Sequence, residues 1–286
     1  MTNNYPYLFP EMEVISTKPD RDQKIGVSLP FRWAGGKFYA LKLLRPFWLI
    51  EHDEYREPFL GGGSVFWAKN KVKYNWINDI DEGLINTLKF ISDFQNRDNL
   101  LKLFENELES SKEKYHEVRN IIPTNDIERA YRYYYLNRTS FSGKMTNPSW
   151  GYKPKRSLPP YRWKERIIPC SEKLQGVKIT NEDFEKVINS ESIGSKVLMF
   201  LDPPYFIPDK HTHYVKSLDK IDHYRLSELL KITPYSFFLT YDDCPEIREL
   251  YKWANIHELK FVYRLDNSKD NGNKRSFGNE LVITNY

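Results

Sequence analysis

Asp202-Pro203-Pro204-Tyr205 follows directly on an apolar run, Val197–Leu201. Two consecutive prolines fix φ and cannot extend a hydrogen-bonded ladder, so the chain must turn where that run ends. The turn brings one carboxylate, backbone carbonyls and one phenol ring to a single spot. That set suits a planar amine on a planar heterocycle: Asp202 and the Pro203 carbonyl accept the two amine protons while Tyr205 stacks on the ring. An exocyclic amine is a poor nucleophile because its lone pair is delocalised into the ring. Two acceptors draw the nitrogen toward tetrahedral geometry and localise that pair for attack. The four residues alone also fit a surface turn with an ordinary Asp cap. The apolar run before them favours a buried strand, whose C-terminal end is where open α/β sheets bind ligands.

A second group reads Glu57-Pro58-Phe59-Leu60-Gly61-Gly62-Gly63-Ser64. Glycines between a strand and a helix let backbone approach a ligand closely and aim helix N–H groups at it. Asp79, within Ile77-Asn78-Asp79-Ile80-Asp81, follows the next strand at the distance where nucleotide-binding folds place an acid on ribose hydroxyls. Neither GxGxxG nor GxxxxGKS/T is matched, so an adenosyl group without phosphates fits better than a dinucleotide. The glycine run alone is equally compatible with a tight turn. A third segment, Phe31-Arg32-Trp33-Ala34-Gly35-Gly36-Lys37, is a glycine loop ending on a cation and means little by itself.

Strand-like and helix-like pieces alternate from residue 25 onward. Strands are expected at 56–59, 74–78, 197–201, 236–241, 256–265 and 280–286, and helices at 64–69, 82–94, 223–231 and 245–253. Such alternation implies an open, mainly parallel α/β sheet. Residues 1–24 lack periodicity and read as a tail. Between the halves, 96–122 reads as one charged amphipathic helix, 127–136 as another, and 137–166 as hairpin and loop. The expected organisation is a catalytic core of residues 25–95 and 167–286, with residues 96–166 inserted as a separate recognition unit.

The 286 residues carry a net charge of only +4, from 43 Lys and Arg against 39 Asp and Glu. The distribution is more informative than the total. Between Arg129 and Arg166 stand ten basic residues and one acid, Glu165, a local +9 that leaves −5 for the remainder. Tyr131, Tyr133, Tyr134, Tyr135, Phe141, Trp150, Tyr152, Tyr161 and Trp163 interleave with those charges. Cations for phosphates beside flat rings for bases make a nucleic-acid surface; the plainer alternative is a solvated basic face over an aromatic core. The longest apolar runs are too short to span a bilayer, and no basic-then-apolar leader opens the chain. Two cysteines, Cys170 and Cys244, argue against a disulfide framework, and no CxxC, HxxxH or HExxH grouping suggests a metal site.

Taken in order, WAGGK, EPFxGxGS, NDI, a basic insertion and DPPY resemble the DNA adenine methylase (Dam-like) family of adenine-N6 DNA methyltransferases over roughly residues 29–286. The resemblance implies a Rossmann-like α/β core that uses S-adenosylmethionine and carries a helical and hairpin target-recognition domain. Position by position, it implies that Trp33, Lys37, Asp79 and Asp202 line the cofactor site, shaped by Glu57, Phe59 and the Gly61–Gly63 turn. It further implies that Asp202, Pro203, Pro204 and Tyr205 hold and activate an adenine flipped out of the duplex.

Within the insertion, Tyr135-Leu136-Asn137-Arg138-Thr139-Ser140-Phe141-Ser142-Gly143 is similar to the start of that family's recognition hairpin, with Phe141 where relatives insert an aromatic ring into the stack. GATC-methylating members carry an arginine shortly after the hairpin glycine, suited to bidentate contact with guanine. Here the run is Lys144-Met145-Thr146, with Thr146 at that place, so another short target is at least as well supported as GATC. Arg138, Phe141, Ser142, Lys144 and Thr146 are the candidate DNA contacts. Lys153, Lys155, Arg156, Arg162 and Lys164 are assigned to phosphates, which position without specifying. His211, His213 and His223 are expected to be surface residues, and Asn267 to Arg275 a loop against DNA. The resemblance implies double-stranded DNA as the partner, met in the cytoplasm by a monomer, with a cognate restriction endonuclease acting separately where one exists. Cytosine-N4 methylation, methylation of RNA or protein, and a non-catalytic DNA-binding relative remain open at this stage.

Overall fold

The computed structural model describes residues 26–206, 218–262 and 277–286. Its centre is a seven-stranded sheet in the order β3-β2-β1-β4-β5-β7-β6. The strands are β1 (Glu54–Glu57), β2 (Tyr74–Asn78), β3 (Val177–Thr180), β4 (Val197–Leu201), β5 (Ser236–Asp242), β6 (Asn255–Val262) and β7 (Phe277–Thr284). All neighbouring pairs are parallel except those made by β7, which runs antiparallel to both β5 and β6. The chain winds outward from β1 through β2 to β3, then returns to build β4 and β5 on the other side. The order therefore reverses between β1 and β4, and that is where an open sheet leaves a crevice beyond its strand ends. Val197, Leu198, Met199, Phe200 and Leu201 are all buried, as a strand covered on both faces requires.

Helices connect the strands: α1 (Leu41–Leu44), α2 (Ser64–Ala68), α3 (Glu82–Ser92), α4 (Phe94–Lys102), α5 (Lys112–Asn120), α6 (Asp126–Thr139), α7 (Lys164–Lys173), α8 (Phe184–Asn189), α9 (Lys220–Ile232) and α10 (Pro245–Leu250). The expected single helix over 96–122 is two helices. Asp93 caps α4 by accepting from the Asn96 amide at 2.8 Å, and Ser111 caps α5 by accepting from Lys114 at 3.1 Å. The expected hairpin over 137–166 reduces to one isolated bridge, Ser140 to Trp150, and α7 already begins at Lys164. Strand β3 and helices α1, α7 and α8 have no counterpart among the elements expected from the sequence. The expected strand over 256–265 begins at Asn255 as β6, and its residues 263–265, with residues 1–25, His211, His213 and the 267–275 loop, lie outside the described residues.

The aromatics of the insertion pack inward. Tyr133, Tyr134, Tyr135, Tyr152 and Trp163 are buried. Trp163 meets Phe104 edge-on at 4.8 Å, Tyr134 at 5.5 Å and Tyr135 at 5.5 Å. The idea that these rings interleave with the cations to stack bases is corrected for those five: they form the core beneath a basic face. That core is continuous with Val65, Leu84 and Leu198 of the α/β layers.

Candidate active site

Four acidic side chains stand at or just past the C-terminal ends of four adjacent strands: Glu57 on β1, Asp79 after β2, Asp202 after β4 and Asp242 on β5. The diproline ends β4, so Asp202 cannot pair onward and turns over the crevice. Asp202 Oδ1 accepts from the Thr240 hydroxyl at 2.7 Å and from Lys37 Nζ at 2.8 Å. Both contacts fall on Oδ1, and Oδ2 carries neither. Lys37 is 5% exposed; it also donates to the Tyr205 hydroxyl at 2.8 Å and sits 4.8 Å from the centre of that ring. The Tyr205 hydroxyl in turn donates to Glu280 on β7, whose carboxylate is 3.7 Å from Lys37. A lysine, a tyrosine and two carboxylates thus interlock at one corner.

Beside this corner lies a narrow cleft lined by Trp33, Lys37, Glu57, Phe59, Gly61, Gly63 and Asp202 together with the rest of both glycine loops, Ser64 and Phe200. Gly61 and Gly63 have φ of +47° and +65°, which β-carbon-bearing residues rarely adopt. A Cβ on Gly62 would stand 2.7 Å from the Trp33 Cβ, so the indole lies directly over the turn. Asp79 is beneath the turn and not in the cleft wall. Its Oδ2 accepts from the Gly61 amide at 2.7 Å and its Oδ1 from the Asp81 amide at 2.8 Å. Buried Asn78 ties the strand ends together, donating to the carbonyls of Pro58 and Glu182 at 2.9 Å each.

Burial shifts both acids near the cleft. Desolvation pushes the Glu57 carboxyl up to about 8, with the Asp202 charge adding to it and a 2.6 Å hydrogen bond from Tyr55 opposing it. Desolvation likewise raises Asp79 to about 6 against the hydrogen bonds from the Asp81 and Gly61 amides. The Ser64 hydroxyl is buried in the cleft floor with no hydrogen-bond partner. A cleft with an unsatisfied hydroxyl, a carboxyl held neutral by desolvation and backbone free of β-carbons fits a ligand that brings donors and positive charge.

On the insertion, Phe141 projects with 56% of its surface exposed from a loop closed at its neck. The Phe141 amide donates to the Ser149 carbonyl at 2.7 Å and the Gly151 amide to the Thr139 carbonyl at 2.9 Å. Ser142 holds φ of +54° and Asn147 +47°, the strained backbone that recurs at ligand contacts. Phe141 and Ser142 open a groove of about 830 Å³ that continues past Lys153, Lys155 and Arg156 and is floored by Arg32, Arg138, Arg162 and Arg166. Arg162 is paired with Glu165 at 2.7 Å, whereas Lys153, Lys155 and Arg156 reach solvent. Desolvation, with Arg166 and Arg32 nearby, lowers the Arg138 pKa, as expected where like charges converge. Lys144 is half-buried and Thr146 exposed on the loop's rim, outside the groove lining.

Two residues of the corner carry no signal in the sequence, and a third residue beside it is placed otherwise than expected. Thr240 and Glu280 come from β5 and β7, and no local pattern marks them. His223, expected at the surface, is buried: its Nδ1 lies 2.5 Å from the Tyr241 hydroxyl and its ring 5.1 Å from Phe206, the residue after Tyr205. Among the described residues, no group of three His, Cys, Asp or Glu side chains could hold a metal, and no helix is long and apolar enough to cross a membrane.

Comparison with known proteins gives a consistent result. Residues 33–265 match the family described as D12 class N6 adenine-specific DNA methyltransferase. The chain is 32% identical to type II methyltransferase M1.LlaDCHI of Lactococcus lactis subsp. cremoris, over 92% of this chain and 98% of that protein. It is 27% identical to type II methyltransferase M.CviBI of Paramecium bursaria Chlorella virus NC1A, over 89% and 98%. Identity to the DNA adenine methylase of Haemophilus influenzae is 25%, over 81% and 85%.

Proposed function

Because the chain belongs to the D12 class N6 adenine-specific DNA methyltransferase family, we propose that it methylates the N6 amine of an adenine extruded from a short duplex target, with S-adenosylmethionine as donor. The observation that carries this reading is adjacency: the Asp202–Tyr205 corner and the glycine cleft share Lys37 and Asp202. Glu57, Phe59, Gly61 and Gly63 would hold the donor, Trp33 would cover it, and Asp79, beneath the turn, would shape the ribose side of the cleft through the Gly61 amide that it holds. When bound, the donor supplies an electrophilic methyl group on a positively charged sulfur.

The remaining chemistry belongs to the chain. Asp202 Oδ2 and the Pro203 carbonyl accept the two N6 protons and localise the nitrogen lone pair. Thr240 and Lys37 hold the opposite oxygen and fix the carboxylate's rotation. Tyr205 stacks on the base with the face away from Lys37, and Pro204 keeps the corner from relaxing. Residues 25–95 and 167–286 form the catalytic unit and residues 96–166 the recognition unit. In that unit Phe141 enters the base stack, Arg138, Ser142, Lys144 and Thr146 face the target, and Lys153, Lys155 and Arg156 hold phosphates. The type II relatives support a role beside a separate restriction endonuclease; we further take the chain to act as a monomer in the cytoplasm.

The test is expression in a methylase-free host followed by modification-sensitive sequencing of its DNA. N6-methyladenine within one short motif is expected, and Asp202→Ala should abolish it while the purified variant still binds duplex. Full methylation by Asp202→Ala would overturn the assignment of the corner.

A further inference from the structure

Two segments distant in sequence meet at Asn137. One leads into the donor cleft, where Arg32 immediately precedes Trp33. The other is the end of α6, from which Phe141 projects. Asn137 is fully buried. Its Oδ1 accepts from the Arg32 amide at 2.8 Å, and its Nδ2 donates to the Arg32 carbonyl at 2.9 Å and the Gly143 carbonyl at 3.2 Å. One side-chain amide therefore satisfies both backbone groups of Arg32, as a strand partner would, and holds the far end of the Phe141 turn. The Arg32 guanidinium returns the connection by donating to the carbonyls of Arg138 and Ser140 at 3.3 and 3.1 Å. A cation at those helix-end carbonyls is electrostatically favourable.

The junction has no slack. A Cβ on Gly143 would stand 2.3 Å from the Arg32 carbonyl oxygen. Phe31 is buried against Tyr133 and Tyr134 of α6, at 5.9 and 5.6 Å between ring centres. The same helix reaches the cleft by a second path. Tyr133 donates to Asp81 at 2.7 Å, the Asp81 amide donates to Asp79, and Asp79 holds the Gly61 amide. Helix α6 is thus pinned to both loops of the cleft while its end carries the DNA-facing turn.

We propose that Asn137 is a positioning residue that couples DNA engagement at residues 137–143 to donor binding in the glycine cleft, an inference that rests on the methyltransferase reading above. A displacement of the turn as Phe141 enters a duplex passes through the Asn137 amide to Arg32 and so to Trp33, which covers Gly61 and Gly62. Coupling of this kind is reciprocal: duplex tightens the donor site by the same factor as donor tightens the duplex site. A residue needed only for folding would lower stability and leave that factor unchanged.

The measurement is the affinity of S-adenosylhomocysteine by calorimetry, with and without a saturating duplex that bears the motif found by sequencing. For the wild type, duplex should tighten binding by about five-fold or more. For Asn137→Ala the ratio should fall to about one, with affinity in the absence of duplex held within about three-fold. Arg32→Ala, which removes only a half-buried side chain, should also lower the ratio. Thermal unfolding establishes that each variant is folded. A wild-type ratio of one, or a wild-type ratio in folded Asn137→Ala, overturns the proposal. Should Asn137→Ala fail to fold, an unchanged ratio in Arg32→Ala overturns it instead. Host DNA without any methylated motif removes the methyltransferase reading and this inference with it, whereas methylation with a ratio of one removes the inference alone.

Discussion

Glu57 ends β1 with its carboxyl almost wholly removed from water and pushed up to about 8, chiefly by desolvation. In the free protein at neutral pH it therefore carries its proton. A ligand bearing positive charge in the same cleft favours the ionised form, so donor binding should pull the pKa down and release a proton. Affinity for S-adenosylmethionine should accordingly rise with pH from the carboxylate range and level off above about 8. Calorimetry in buffers of different ionisation enthalpy counts the proton, and Glu57→Gln should show neither release nor slope. The sign for stability is the reverse. A raised carboxyl stabilises the fold fully below its unfolded pKa, and that contribution is lost as pH climbs through about 8. The gap in melting temperature between wild type and Glu57→Gln should shift in the variant's favour over that interval; a constant gap would refute the burial argument. At this scale the sequence exposed the residues that stand in motifs, Asp202, Tyr205, Glu57 and Lys37. It placed Lys37 at the donor, yet in the fold that cation also grips Asp202 and Tyr205. Thr240 and Glu280 were invisible because each meets its partner only through strand pairing across a long stretch of chain.

Asp81 shows how one side chain serves an element. It caps α3 by accepting from the Leu84 amide at 3.1 Å, and its other oxygen accepts from the buried Tyr133 hydroxyl at 2.7 Å. Asp81→Ala should cost about 2 kcal/mol, from the lost cap and from a phenol left buried without a partner. Chemical denaturation of Asp81→Ala and of Asp81→Ala/Tyr133→Phe separates the two, since the second change should recover part of the loss; no recovery would mean that the phenol contributes nothing. The caps are legible as residue types, but the element boundaries they set are less so. Residues 96–122 keep a charged, amphipathic character throughout, which hides the break before Ser111. Strand β3 is short, Val-Lys-Ile-Thr, with one residue exposed and three half-buried, so it lacks the apolar run that announced β4. Its place is fixed by pairing with β2 from Asn75 to Asn78, a contact no local pattern encodes. Helix α7 carries Pro169 in its interior, a residue that ordinarily argues against helix.

Across the whole molecule, charge is separated from chemistry. The segment from Arg129 to Arg166 holds +9 while the rest of the chain sums to −5, and the carboxylates Glu57, Asp79, Asp202 and Asp242 gather at one sheet edge. The basic groove at Phe141 brings Arg32, from outside that segment, to the same floor as Arg138 and Arg166. Interleaved rings suggest stacking, but the fold sends most of them inward and leaves Phe141, the most exposed of them, beside the cations. Affinity for duplex should then come largely from phosphates through Lys153, Lys155 and Arg156, and be steeply salt-dependent. Lys155→Ala and Arg156→Ala should each weaken binding by a similar factor on target and non-target duplex. Each should also reduce the slope of log affinity against log salt by about one. Lys252, just past the end of α10 and paired with Glu249 at 2.6 Å, lies outside the groove, and Lys252→Ala should change neither quantity. Phe141→Ala should behave differently, with the salt slope retained and methylation of the target reduced, because a ring inserted into the stack releases no counterions. Anisotropy titrations over a series of salt concentrations distinguish these patterns. An unchanged slope in both Lys155→Ala and Arg156→Ala would place the DNA on another face of the protein.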